Sequence, residues 1–136
     1  MQSFLTNANY YLAESQSVDN DLLLRKRYCE LALEFYNKAI NAKIDCSKQK
    51  KYAQSVYIQI GEELYFAGID CMSEALDKKC EKTYFIQDKT IQNLNDAIEY
   101  FQNAKQCGNK NCDYYIKNCK NYLNKIIKQE NKEFGL

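Results

Sequence analysis

The chain reads as an all-α protein of antiparallel helical hairpins, with about six helices, on three observations. There is no proline in 136 residues and only four glycines. Average usage of about 5% would supply roughly seven prolines. Proline is most at home in loops and breaks helix interiors, so its absence points to long regular elements with little loop between them. Apolar residues recur near a period of 3.6 almost throughout, with no sustained alternation of period two. The breaks between apolar stripes are short and polar.

A first helix over about 3–16 places Leu5, Ala8, Leu12 and Ser15 on one face. The break QSVDND follows, with Asp19 or Asn20 able to cap a second helix over about 20–43. That helix is striped by Leu22, Cys29, Ala32, Leu33, Tyr36, Ala39 and Ile40, and its polar face carries Arg25, Lys26, Glu30, Glu34 and Lys38. The polar stretch DCSKQKK leads into a third helix marked by Ala53, Val56, Tyr57, Ile60, Leu64 and Ala67. Gly68 either turns the chain into a short fourth helix, marked by Met72, Ala75 and Leu76, or lies inside one long helix. A helical glycine costs only about 1 kcal/mol relative to alanine, so both readings stand. Residues 77–89 are the most irregular stretch, and Asp88 can cap a helix running to about 106 on Ile91, Leu94, Ala97, Ile98, Phe101 and Ala104. Gly108 suits its left-handed C-terminal position. A last helix over about 111–132 precedes a frayed tail at 133–136, and residues 1–136 form one domain long enough to bury a core.

Apolar residues make up 46% and charged residues 27%, as in soluble chains. The formal charge of +1 provides no global field for nucleic acid. Its distribution is uneven: residues 105–136 hold seven lysines against three acids, whereas 81–104 hold two basic residues against four acids. No run of apolar residues is long enough for a membrane span. MQSFLTNANYYLAES lacks a basic segment followed by an apolar one, so no signal peptide is expected, and the seven cysteines read as reduced thiols in the cytoplasm.

No enzymatic activity or cofactor is expected. There is no histidine, which removes Ser–His and Cys–His pairs and the commonest metal ligand. KQCGNKNC has one glycine and cannot imitate a phosphate loop. Glu62 and Glu63, being adjacent, point about 100° apart on a helix and cannot act on one atom. Zinc held by Cys107, Cys112 and Cys119, with Cys80 as fourth ligand, would need four and six intervening residues and has no second close pair. Packing explains these thiols better: Cys112, Tyr115, Ile116, Cys119, Tyr122, Leu123 and Ile126 run along one helical face. No metal site is therefore expected. Opposite that stripe lie Lys117, Asn121, Asn124 and Lys128. Nucleic-acid binding would want arginine and stackable rings among the charges; this helix has no arginine, and its tyrosines read as packed. Contact with nucleic acid or an anionic surface through this helix is the alternative function.

Two triplets, Ala32–Tyr36–Ala39 in RYCELALEFYNKAI and Ala97–Phe101–Ala104 in NDAIEYFQNAKQC, share the spacing small–aromatic–small. IGEELYFAGIDCMSEAL adds Gly61, Leu64 and Gly68 at a second characteristic spacing. With these features residues 20–128 resemble a degenerate tetratricopeptide repeat, a helix–turn–helix unit of about 34 residues. The repeat's proline and leading tryptophan are absent, Ser73 replaces the usual alanine, and Ala97 follows Ala32 by 65 residues rather than two full periods. YCELALEFYNKAI is also similar to the second helix of MIT domains, which bind short helical motifs. Both resemblances imply a non-catalytic interaction module, an adaptor or small subunit of a larger assembly. The repeat register further implies a groove lined by Tyr65, Phe66 and Tyr100, with Glu62, Asp96 and Glu99. Such a groove suits a basic or mixed peptide or helix.

Overall fold

The computed structural model describes residues 2–77 and 84–133. Among the described residues the chain forms five helices and no strand: α1 (Gln2–Gln16), α2 (Leu22–Asn41), α3 (Ser47–Asp77), α4 (Tyr84–Gln106) and α5 (Cys112–Glu133). None of them is long and apolar enough to cross a membrane. The connections at 17–21, 42–46 and 107–111 are five residues each.

The helix count differs from the expected six because Gly68 lies inside α3 instead of ending it. A Cβ at Gly68 would stand 2.7 Å from Phe101 Cε1 and 2.9 Å from its Cδ1 and Cζ. The glycine therefore admits a ring from α4 and keeps a helical backbone. The start of α4 also moves. It begins at Tyr84, and Asp88, expected as its cap, is exposed within the helix. The remainder of the irregular stretch, 78–83, and the last three residues of the tail lie outside the described residues; Glu133 ends α5.

The cap of α2 is Asp21, one residue beyond the expected pair, and its Oδ1 accepts from the Leu24 backbone N–H at 2.9 Å. Asn20 turns back instead, donating from Nδ2 to the Glu14 carbonyl at 2.9 Å. The C-termini of α2 and α4 close alike. Ile44 N–H reaches the Ala39 carbonyl at 3.0 Å, and Asn109 N–H reaches that of Ala104 at 3.1 Å. The residue between cap and closure is left-handed in both, Lys43 at φ 69° and Gly108 at φ 98°. Gly108 thus takes its expected role, while Lys43 does the same with a side chain.

The chain forms two compact units, Met1–Glu63 and Leu64–Leu136. In the first, Ala8, Cys29, Ala32, Tyr36, Ala39, Cys46, Ala53, Val56 and Ile60 are buried. Small residues on α1 and α2 let the helices approach, and Tyr36 fills the remaining space. Its hydroxyl donates to Asn9 Oδ1 at 2.6 Å, and its carbonyl accepts from Cys46 Sγ at 3.6 Å. Cys29 Sγ reaches the Ala53 carbonyl at 3.4 Å, so two cysteines serve as small core residues.

The polar face assigned to α2 needs correction. Lys26 is only 6% exposed. Its Nζ lies 3.1 Å from Glu30 Oε2, and Tyr57 of α3 donates to the same oxygen at 2.8 Å. Arg25 also bends inward, donating from Nε to the Ser15 carbonyl at 2.8 Å, with Nη2 3.3 Å from Glu63 Oε2. These contacts with α3 turn the N-terminal half of that face into an interface, while Glu34 and Lys38 stay exposed as expected.

In the second unit Leu64, Ala75, Leu94, Ala97, Phe101, Ala104, Cys107, Cys112 and Cys119 are buried. Phe101 stacks on Tyr115 with centroids 5.4 Å apart, and Tyr65 meets both rings edge-on at 5.9 and 5.8 Å. The packed stripe of α5 is narrower than periodicity drew it. Cys112 and Cys119 are fully buried, but Tyr122 is 38% exposed.

Candidate binding surface

Neighbouring residues on a helix diverge by about 100°, and α3 uses this at Tyr65 and Phe66. Tyr65 turns toward Phe101 and Tyr115; a hydrogen bond with Tyr115 and then burial raise its hydroxyl pKa. Phe66 turns outward and is 62% exposed, its ring meeting the edge of Tyr65 at 5.4 Å. One turn further along α3 stands Asp70, exposed, and a turn beyond that Glu74, also exposed. Between them Cys71 is half-buried. Burial raises its thiol pKa first, and the charges of Asp96, Glu74 and Asp70 raise it further. Asp96 of α4 thus lies near enough to Cys71 for its charge to act on the thiol. Asp96 is half-buried and accepts from Gln92 Nε2 at 2.9 Å.

Of the residues expected to line a groove, Asp96 lies near Cys71 of α3, and Phe66 shares with Asp70 and Glu74 an exposed helix face. Tyr65 sits beneath it within the ring cluster. Tyr100 is half-buried, and Glu99 is exposed, its carbonyl accepting from Asn103 Nδ2 at 2.8 Å. Glu62 is exposed and belongs to the first unit. Sequence reasoning missed Asp70, Cys71 and Glu74. The signal was available, because Phe66, Asp70 and Glu74 are spaced i, i+4, i+8 on one helix face.

This arrangement suits recognition better than covalent chemistry. Burial first, and then the nearby acids, favour the neutral Cys71 thiol, whereas a nucleophilic cysteine needs a cationic environment. Cys107, Cys112 and Cys119 are buried packing residues, Cys80 lies outside the described residues, and no three His, Cys, Asp or Glu among the described residues are grouped to hold a metal. Burial and the neighbouring Cys71 push the Cys119 thiol up to about 11. Iodoacetamide at pH 7.5 is expected to label Cys71 before Cys29, Cys46, Cys107, Cys112 and Cys119, and more slowly than free cysteine. Peptide mass spectrometry checks the order, and labelling of Cys119 should await denaturant.

No protein-family model, curated protein or solved structure matches the chain.

Proposed function

We propose that the protein is a non-catalytic interaction module, an adaptor or small subunit of a larger assembly, built as a tetratricopeptide-like array of helical hairpins. It binds a partner helix or extended peptide bearing an apolar anchor flanked by basic residues. The observation that carries this reading is an exposed phenylalanine on one helix face with two exposed acids, Phe66 with Asp70 and Glu74, and a third acid, Asp96 of α4, close to Cys71 between them. Exposed aromatic anchors dominate binding energy where they become fully desolvated, and flanking charge sets orientation and partner choice. Complete burial of Ala32, Tyr36, Ala39, Ala97, Phe101 and Ala104 supports the repeat-like architecture, since both small–aromatic–small triplets serve as close-packing seams.

Affinity capture from native cells, compared between wild type and two variants, tests the assignment. Phe66→Ala should reduce recovery of the specific partner at least tenfold, and Asp96→Lys should do the same by reversing charge. Neither should shift the thermal midpoint by more than a few degrees, because both side chains reach solvent. Unchanged recovery with both variants would sink the assignment. Tyr65→Ala is the wrong probe, since it removes a ring from the packed cluster and lowers stability as well.

A further inference from the structure

The outer face of α5 carries a second feature, separate in charge and residues from the acidic face of α3. Between residues 114 and 129 the helix has Lys117, Lys120, Lys125 and Lys128, all exposed, and no acid. Asn121 and Asn124 fill the face between them and are also exposed. None of the four lysines is ion-paired among the described residues; the nearest such pair, Lys105 Nζ to Asp113 Oδ1 at 2.8 Å, lies at the corner before this face. Lys117 and Lys128 stand eleven residues apart, about 16 Å along the axis at 1.5 Å per residue. Lys117, Asn121, Lys125 and Lys128 therefore present a donor on every turn.

Two aromatic rings are set into this cationic row. Tyr114 is 68% exposed, touching Tyr115 edge-on at 5.3 Å, and Tyr122 is 38% exposed with Lys125 Nζ 5.7 Å from its ring centre. The apolar side of α5 is engaged in the core through Cys112 and Cys119. An amphipathic helix lies on lipid by burying a continuous apolar face among the acyl chains; on α5 the first half of that face is packed, and Ile127 is the exposed aliphatic side chain among its described residues. A regularly charged soluble polyanion suits the lysine row, and one whose repeating units carry π-faces also uses the tyrosines.

We infer that the outer face of α5 binds single-stranded nucleic acid, with Lys117, Lys120, Lys125 and Lys128 against successive phosphates and Tyr114 and Tyr122 as stacking platforms for bases. Backbone-tracking positive charge combined with aromatic stacking is the physical basis of sequence-tolerant single-strand binding. Lysine, as a compact point charge, serves phosphate contact without the planar recognition that arginine adds.

Fluorescence anisotropy with labelled twelve-nucleotide oligo(U) and oligo(dT) tests this on the full chain. Binding is expected at 50 mM salt for at least one of the two, which also tells RNA from DNA preference. Four phosphate contacts give a slope of log K against log[salt] of about −2.8, at roughly −0.7 per contact on a single strand. The combined K117Q/K120Q/K125Q/K128Q variant should lose binding, and Lys125→Gln alone should flatten the slope by about 0.7. Tyr114→Leu should weaken oligonucleotide binding about tenfold and leave binding of heparin unchanged. Phe66→Ala should leave oligonucleotide binding intact, which keeps this site distinct from the peptide surface. The inference is overturned by absence of oligonucleotide binding at 50 mM salt. It is equally overturned by binding that survives the quadruple substitution, by a Tyr114→Leu variant that binds oligonucleotide as well as wild type, or by capture of polyglutamate or phosphatidylserine vesicles in preference to the oligonucleotides. Far-UV circular dichroism confirms that each variant remains helical.

Discussion

Gly68→Ala is expected to destabilise the protein by about 1–3 kcal/mol, the opposite of what helix propensity alone dictates. In the interior of an unobstructed helix the same change gains up to about 1 kcal/mol. Here the new methyl group would enter the space of the Phe101 ring, with its nearest approach at 2.7 Å. Phe101 is fully buried and stacked on Tyr115, so it cannot swing into solvent to make room. Phe101→Ala removes the ring outright and should cost about 3–5 kcal/mol. In the double variant Gly68→Ala/Phe101→Leu the methyl group meets a smaller neighbour, so its added cost should fall well below that in wild type. A non-additive cycle of this kind is the signature of direct contact. Urea denaturation midpoints of these variants, with Phe101→Leu alone closing the cycle, supply the energies. A Gly68→Ala protein more stable than wild type would mean that Phe101 does not occupy this position.

The second large effect concerns the buried ammonium of Lys26. Glu30→Ala is expected to lose about 2–4 kcal/mol, because it removes the carboxylate 3.1 Å from the buried ammonium. Tyr57 loses a hydrogen-bond acceptor in the same step. Glu30 is itself partly open to solvent, which places the effect below that of a fully enclosed pair. Lys26→Met should behave differently: it keeps the length of the aliphatic stem, removes the charge that must be desolvated, and is expected to be near neutral or mildly stabilising. The asymmetry between the two substitutions is the test. Thermal melts of both should separate by well over 5 °C, and equal losses would show that the side chains hold the helices together by volume alone.

How much of this could be read beforehand depends on whether the deciding partner was local. The stripes Ala8–Ser15, Cys29–Ala39 and Leu94–Ala104 were legible because burial repeats with the helix period, and the structure buries their small and aromatic members as read. Gly68 was not legible, since its role is set by a ring 33 residues away in sequence. Lys26 was misread for the same reason: periodicity places it on a polar face, and only contact with α3 turns that part of the face inward. The cap moved from Asp19 or Asn20 to Asp21 because three capping residues stand close together, and the hydrogen bond to Leu24 selects among them. Among the residues of the expected groove, Phe66 is exposed and Asp96 half-buried, while the repeat register offered no route to Asp70 and Glu74. Tyr65 was taken for a groove residue because its packing partners, Phe101 and Tyr115, come from other helices. Tyr122 falls in the packed stripe by periodicity yet reaches solvent, because a stripe on a helical wheel has no sharp edge.

The short connections carry a kinetic consequence. Each described link between helices is five residues, and the chain has no proline anywhere. Closing such a loop takes on the order of tens of nanoseconds, and single helices form in about a microsecond. Refolding commonly stalls for tens of seconds while a prolyl bond finds its isomer, and this chain has no such bond to wait for. Its return from denaturant is therefore expected to lack a prolyl phase of tens of seconds, which stopped-flow fluorescence of its tyrosines would check.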